Sequence, residues 1–211
     1  MQNIKNIIFD YGNVIFEINF EKAQQALIQL GITDIENFFS HKKHHPIFNE
    51  FERAAISPAE FRSEIRKAAD KPALSDAEID AAWNSLLIGV PATIHDTLLK
   101  VKEKYRTFLL SNNNEIHYNY IVDYLKREFE MVDNSKLFEK TYYSQHMFLR
   151  KPDVEIFQKV IQENNLDPQE TLFIDDSPQH IEGAKKAGLN TLLMDVHPRH
   201  LEEFLNRNKI L

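Results

Sequence analysis

The sequence lacks several features, and each absence excludes a class of protein or site. None of its 211 residues is cysteine, which removes disulfides, thiol nucleophiles and cysteine-based metal sites and fits a reducing compartment. No uninterrupted apolar run is long enough to cross a bilayer, and no positively charged leader with an apolar signal core precedes the first strand. We therefore expect a cytoplasmic protein with no membrane partner.

Positively charged residues are also fewer than negatively charged ones. The chain has 25 Lys and Arg against 32 Asp and Glu, a formal net charge of −7 that argues against a nucleic-acid partner. The 43% hydrophobic and 27% charged residues are ordinary for a globular protein, and the length suits one main domain with a smaller appended one. Internal repeats, low-complexity tracts and flexible linkers are absent, and nothing fixes the oligomeric state.

Short apolar runs alternate with helical patterns at the start of the chain and again from about residue 91. The candidate strands are the run that begins at Ile7 and ends on Asp10, then 107–110, 140–143, 172–174 and 191–194. The helices between them are predicted near 91–105, 120–125, 153–163 and 178–187. Alternating strands and helices predict an α/β fold with a Rossmann-like parallel sheet and right-handed crossovers.

Residues 20–88 interrupt this alternation. Their periodicity is helical with little strand character, and we predict an all-helical insertion of about four helices. Two helix starts are marked by capping boxes, Ser57-Pro58-Ala59-Glu60 and Ser75-Asp76-Ala77-Glu78, while Gly31 ends a first helix over 20–30 and another short helix begins at Ile35. We therefore predict a core domain made of 1–16 and 90–211 and a helical cap domain of 17–89, inserted after the first strand.

Three of the predicted strands end in polar residues. Asp10 follows the first strand, Ser111 and Asn112 follow the second, Asp175 and Asp176 follow the fourth, and Lys151 stands just before a helix. Because the carboxyl ends of parallel strands meet at one edge of a sheet, these side chains are expected to converge there. Carboxylates at such an edge suit Mg²⁺, and hydroxyl, amide and ammonium groups suit a phosphate. Adjacent carboxylates such as Asp175-Asp176 repel each other unless a cation offsets their charge.

The order and spacing of these residues resemble the haloacid dehalogenase-like hydrolase superfamily over nearly the whole chain. The resemblance implies that Asp10 is a nucleophile that forms an aspartyl-phosphate, that Ser111, Asn112 and Lys151 bind substrate, and that Lys151 also assists catalysis. It further implies that Asp10, the backbone carbonyl of Gly12, Asp175 and Asp176 hold Mg²⁺. The Asp-Tyr-Gly-Asn-Val-Ile motif and Phe51-Glu52-Arg53 resemble the branch that includes bacterial glucose-1-phosphate phosphatases.

One position departs from the family pattern. Phosphatases of the superfamily usually carry a general acid–base Asp two residues after the nucleophile, where this chain has Gly12. General acid–base help is worth roughly 10²–10⁴ in rate, so another group supplies it, a good leaving group makes it dispensable, or turnover is slow. Glu17, at the entry to the cap, is a candidate substitute. A second departure is His180, where the family often has Asp or Asn; we expect it to hydrogen-bond the loop and not to bind metal.

The cap also carries a local basic cluster, His41-Lys42-Lys43-His44-His45. A solvated helix end is the simpler interpretation, and recruitment of an anionic substrate during cap closure is the functional one. Phe38, Phe39, Phe48, Phe51 and Phe61 are expected to form mostly cap core, with one or two left to face the substrate, and Trp83 is assigned to packing.

The resemblance as a whole implies a Mg²⁺-dependent phosphatase for small phosphorylated metabolites, with sugar phosphates such as glucose 1-phosphate as expected substrates. Two alternatives remain. The same Asp10 could carry out a metal-independent dehalogenation, although Asp175-Asp176 speaks against it. The chain could also be a binding or regulatory protein that has lost rapid catalysis, because of Gly12.

Overall fold

A computed structural model describes residues 3–39 and 45–211. Its strands, in chain order, are β1 (Asn6–Phe9), β2 (Glu17–Ile18), β3 (Leu87–Gly89), β4 (Arg106–Ser111), β5 (Lys140–Tyr143), β6 (Thr171–Asp175) and β7 (Asn190–Leu193). Its α-helices are α1 (Phe20–Leu30), α2 (Ile35–Phe38), α3 (Pro46–Glu52), α4 (Pro58–Ala68), α5 (Asp76–Asn84), α6 (Ile94–Lys102), α7 (Glu115–Phe129), α8 (Ser144–Met147), α9 (Val154–Glu163), α10 (Pro178–Lys186) and α11 (Leu201–Arg207).

Five strands form one parallel sheet in the order β5-β4-β1-β6-β7, which confirms the predicted α/β class. β1 lies at the centre of this sheet, and every residue of β1 and β6 is buried. A strand covered by helices on both faces needs apolar side chains on both, which explains the continuous hydrophobic runs. The order places the ends of β4 and β6 on either side of the end of β1.

The inserted region differs from the prediction in two respects. Residues 87–89 form a strand that pairs antiparallel with β2, so the insertion begins and ends in a short two-stranded sheet and is not all-helical. The described residues of the insertion form five helices, α1 to α5, where about four were predicted. Two- and three-residue strands are too short to leave a period-two pattern, which is why the sequence did not reveal them. Two further helices, α8 and α11, were also not predicted.

The helix ends follow local sequence rules. Ser57 and Ser75 each accept a hydrogen bond from the N3 amide, and the side chains of Glu60 and Glu78 each accept one from the N-cap amide, as predicted. Gly31 ends α1 with a φ of +120°, a conformation in which its lack of a Cβ is needed. These local contacts mark the starts of α4 and α5 and the end of α1.

The cap has an aromatic core of its own. Phe39, Phe48, Phe51 and Phe61 are buried with Trp83, and Phe38 is partly buried against them, so their assignment to cap packing is confirmed. The rings of Phe51 and Phe61 stack at 4.4 Å between centroids. This cluster extends over cap residues 23–86 and includes one core residue, Ile116 of α7. The division of the chain into 1–16 with 90–211 and 17–89 stays a prediction.

A buried neutral network joins the cap to the core. The ring of His117 on α7 stacks on Trp83 of α5 with centroids 4.6 Å apart, and its Nε2 donates to the Trp83 carbonyl over 3.1 Å. Asn114, the N-cap of α7, donates from Nδ2 to His117 Nδ1 and accepts from the His117 amide with its Oδ1. Both ring nitrogens of His117 are thus satisfied in the neutral form only.

Candidate active site

The sheet brings the predicted residues to one edge. Asp10 directly follows β1, Ser111 is the last residue of β4, and Asp175 is the last residue of β6. Their exposed fractions are 6%, 4% and 0%, respectively, so the edge is enclosed. The prediction that these strand ends converge is therefore confirmed by the topology.

Lys151 joins two of the carboxylates. Its side chain is fully buried, and its Nζ lies 2.5 Å from Asp10 Oδ1 and 2.7 Å from Asp175 Oδ2. Burial opposes a charged ammonium, yet the two carboxylates raise the pKa of Lys151 above its ordinary value. A charged lysine therefore sits between the ends of β1 and β6.

The main chain around Lys151 is held from inside the core. The Asn112 side chain accepts from the Lys151 amide over 2.8 Å and donates to the Lys151 carbonyl over 2.9 Å. α10 also approaches closely, because a Cβ on Gly183 would lie 2.2 Å from the Pro152 carbonyl oxygen. Only glycine permits that approach. Asn112 and Gly183 thus fix the position from which the Lys151 side chain extends.

Asp175 is also oriented by its own loop. Its Oδ1 accepts from the Ser177 amide over 2.8 Å, and His180 Nδ1 lies 3.0 Å from each carboxylate oxygen. Burial acts to raise the pKa of Asp175, but Lys151 and His180 together hold it below its usual range. His180 therefore makes the loop hydrogen bond expected from the sequence, and its partner is a carboxylate of the site.

The remaining carboxylates carry uncompensated charge. Burial raises the pKa of Asp10, and repulsion from Asp175 raises it further against the opposing effect of Lys151. Burial likewise raises the pKa of Asp176, with added repulsion from Asp10 and Asp175. Three carboxylates surround the Lys151 ammonium, so negative charge is in excess when all are ionised.

This charge excess fits a divalent cation. Asp10, Asp175 and His180 offer ligand atoms within 4.8 Å of one another, and Asp176 adds a carboxylate that interacts electrostatically with both aspartates. Mg²⁺ favours oxygen ligands, and His180 already bonds to Asp175, so the carboxylates would hold the ion while His180 orients one of them. The residues present therefore fit Mg²⁺.

The other predicted site residues have identifiable positions. Ser111 is buried, and its Oγ donates to the neighbouring Asn112 carbonyl over 3.2 Å. Gly12 lies two residues beyond Asp10 and forms an isolated β-bridge with Phe16. The Asn13 amide donates a hydrogen bond to the Phe16 carbonyl over 2.8 Å. Asn13 has a positive φ of 53° and was not singled out in the sequence, although Asn is the residue that best tolerates that conformation. Its side chain moderates the raised pKa of Asp176.

Two weaker sequence hypotheses meet different outcomes. Glu17 lies in β2, and its carboxylate pairs with His197 Nε2 at 3.2 Å. This pair is separate from the contacts that Lys151 makes, so the role of Glu17 as a proton donor stays a hypothesis. Residues 41–44 of the basic cluster lie outside the described residues. His45 is described, and it caps α3 through Nδ1 and stacks on Phe38, which is a structural role.

Two buried amide side chains have polar atoms that lack partners among the described residues. Asn113 follows Asn112, and Gln145 is the second residue of α8; their exposed fractions are 4% and 3%. Asn113 Nδ2 and both polar atoms of Gln145 have no hydrogen-bond partner in the described part of the protein. α8, which contains Gln145, is in contact with α3 of the cap. A buried amide without a partner costs about 1–3 kcal/mol, which favours a polar occupant.

Within the described ranges, no helix is both long enough and apolar enough to span a bilayer.

The comparisons with known proteins agree with this geometry. The model of the haloacid dehalogenase-like hydrolase family matches residues 90–194. A D-ribitol-5-phosphate phosphatase of Bacteroides thetaiotaomicron is 32% identical over 190 residues, covering 89% of this chain and 90% of the relative.

Solved structures extend the similarity. An Asp-to-Ala variant of a haloacid dehalogenase family enzyme from Bacteroides thetaiotaomicron, in complex with magnesium and inorganic phosphate, is 38% identical with a TM-score of 0.83, covering 90% of this chain and 93% of that one. A predicted HAD-like family hydrolase of Porphyromonas gingivalis is 29% identical with a TM-score of 0.83, covering 98% of this chain and 98% of that one. The similarity to glucose-1-phosphate phosphatases in particular stays a prediction.

Proposed function

This chain belongs to the haloacid dehalogenase-like hydrolase superfamily, and we propose that it is a Mg²⁺-dependent phosphomonoester hydrolase for small phosphorylated polyols and sugars. The observation that carries the proposal is the buried Lys151 ammonium between Asp10 and Asp175, beside a third carboxylate. A dianionic phosphate entering this site needs a cation, and the uncompensated carboxylates supply the ligands for one.

In the proposed reaction Asp10 is the nucleophile. A carboxylate oxygen of Asp10 attacks phosphorus, the bond to the alcohol oxygen breaks, and the phosphoryl group is carried as an aspartyl-phosphate until water hydrolyses it. Lys151 orients Asp10 and balances phosphate charge, while Ser111 binds a phosphate oxygen and Asn112 acts mainly through Lys151. Asp10, the Gly12 carbonyl, Asp175 and Asp176 are the proposed Mg²⁺ ligands. Bound Mg²⁺ supplies electrophilic polarisation and charge neutralisation at the phosphate.

Two features support a polyhydroxylated leaving group. The Bacteroides relative acts, by its name, on ribitol 5-phosphate. Among the described residues, Asn113 Nδ2 and both polar atoms of Gln145 have no partner, so Asn113 could donate to a hydroxyl group and Gln145 could both donate to one and accept from one. Gln145→Leu should therefore raise KM for a polyol phosphate and leave KM for p-nitrophenyl phosphate, which has no hydroxyl groups to recognise, unchanged. An equal change with both substrates would argue against hydroxyl recognition.

The central experiment is a phosphate-release assay on a panel of sugar and sugar-alcohol phosphates, with Mg²⁺ or EDTA, for the native chain and Asp10→Asn. We expect release only with Mg²⁺ and only with Asp10 present. Absence of release from every substrate would contradict the proposal. Halide release from haloacids in EDTA would favour the dehalogenase alternative instead, and stabilisation by beryllofluoride without turnover would favour a binding protein.

The missing acid at Gly12 predicts a leaving-group effect. Glucose 1-phosphate releases a hemiacetal hydroxyl, which is more acidic than the primary alcohol released from ribitol 5-phosphate. Without a general acid, the sugar 1-phosphate should be turned over faster. A Cβ at Gly12 would lie 3.2 Å from the flexible end of Ile18, so a side chain can be tested there. Gly12→Asp should raise kcat for the alcohol ester more than for the hemiacetal ester, whereas Gly12→Asn, of equal size, should not.

A further inference from the structure

The cap contacts the Lys151 loop through two ion pairs. Glu52, the last residue of α3, accepts from Arg150 Nε over 2.8 Å, and both side chains are about four-fifths buried, at 24% and 18% exposed. The next cap residue, Arg53, lies 2.5 Å from Asp153 Oδ2 through its guanidinium. The two core partners stand immediately before Lys151 and two residues after it.

The signs of these charges alternate on both sides. Glu52 and Arg53 are adjacent in the cap, and they meet a positive and a negative partner in the core. A shift of the cap by one residue would bring Arg53 towards Arg150, or Glu52 towards Asp153, and like charges repel. The pairs therefore favour one placement of α3 on the loop over its neighbours.

The loop transmits this placement to the site. Its inner side is fixed to the core by the Asn112 side chain, which bonds both the amide and the carbonyl of Lys151. Its outer side has the two ion pairs to the cap. The Lys151 ammonium between them contacts Asp10 and Asp175, so any tilt of the loop changes those two contacts.

We propose that Glu52 and Arg53 are positioning residues, which act through Arg150 and Asp153 to set the Lys151 ammonium when the cap rests on the core. This inference rests on the proposed phosphatase function for its kinetic consequence. The coupling of cap position to the Lys151 loop follows from the contacts themselves.

The test uses Glu52→Gln, Arg53→Gln and the exchanged pair Glu52→Arg with Arg150→Glu in the full chain. We expect each single variant to lower kcat by about two- to fivefold, the scale of one ion pair that solvent still partly reaches, with KM nearly unchanged. Glu52→Arg alone should lower kcat more than about tenfold through repulsion from Arg150. The exchanged pair should recover most of that loss. Hydrogen exchange of the amides of Arg150, Lys151 and Asp153 should accelerate in the single variants and return towards the native rate in the exchanged pair.

Arg62→Gln is the matched control, because Arg62 pairs with Asp80 inside the cap at 2.7 Å with similar exposure and does not touch the loop. It should leave kcat and the exchange of the Arg150, Lys151 and Asp153 amides unchanged. Native exchange rates in the Glu52 and Arg53 variants, or equal changes in Arg62→Gln, would overturn the inference. If the native chain hydrolyses no phosphate ester, the proposed function fails, and hydrogen exchange still decides the coupling.

Discussion

Two regions of this protein bury polar groups, and they do so in opposite ways. At the cap–core junction, Trp83, Asn114 and His117 form a neutral network in which the ring nitrogens are paired. At the sheet edge, Asp10, Asp175 and Asp176 share one ammonium, and repulsion contributes to the raised pKa of Asp10 and Asp176. The first arrangement is complete without a ligand, and the second is not. The difference separates a structural contact from a site that needs a cation and an anionic substrate.

The largest effect is expected from a substitution at the charged sheet edge. Asp10→Asn should reduce phosphate release about 10³-fold or more, because the nucleophile is lost. The free energy of unfolding without metal should rise, because one of three mutually repelling carboxylates is removed. Lys151 retains its ion pair with Asp175. Steady-state rates and chemical denaturation check both statements. A less stable variant would mean that Asp10 stabilises the fold.

The neutral network at the cap–core junction should affect how the free energy of unfolding depends on pH. Burial lowers the pKa of His117 to about 4, against an ordinary value of 6.5. As pH falls from about 6.5 to about 4, the unfolded chain binds a proton that the native chain refuses, so this group removes about 3 kcal/mol of stability. Denaturation of the native chain and His117→Gln across that range measures the effect. His200→Gln, at an exposed histidine, is the control, and equal pH dependence in native and His117→Gln would contradict the assignment.

Adding Mg²⁺ should balance the negative charge at the sheet edge and stabilise the fold. At 100 times its dissociation constant, the ion stabilises the fold by about 2.7 kcal/mol, which corresponds to a rise in Tm of about 5–10 °C for a domain of this size. Asp175→Asn should abolish most of that rise, whereas His117→Gln should retain it. The same rise in Asp175→Asn would place the ion elsewhere.

The smallest expected effect is at Asn114. Asn114→Ser keeps an oxygen for the N-cap of α7 but removes the amide that donates to His117 Nδ1. We expect a loss of about 1 kcal/mol in unfolding free energy, measured by denaturation, and no change in kcat. A fall in kcat at unchanged stability would link the junction to the site and weaken the contrast between the two regions.

Much of the fold could be predicted from local sequence patterns. The apolar runs that end on Asp10 and Asp175 predicted buried parallel strands, and the capping boxes predicted where α4 and α5 begin. β2 and β3 were not predicted because two or three residues carry no readable period, and their pairing joins positions 17 and 89. α8, with four residues, is too short for the same reason.

The candidate site divides in the same manner. Polar residues after apolar runs identified the residues that could meet, because parallel strands bring their carboxyl ends to one edge. The sequence could not indicate that Asn112 holds the Lys151 main chain, that Gly183 admits the Pro152 carbonyl, or that Gln145 is buried with no partner in the described part of the chain. An isolated Gly inside a helical pattern was the only signal for Gly183.

By itself the sequence determined the secondary structure of the longer elements and the list of residues able to bind a metal and a phosphate, since these depend on local spacing and residue chemistry. Only the tertiary structure decided which charges face one another. The contact between Lys151 and Asp10 joins residues 141 positions apart, and the pairs of Glu52 and Arg53 with the Lys151 loop span about 100. Electrostatic interactions fall with distance and rise with burial, so they are fixed only when the chain has folded.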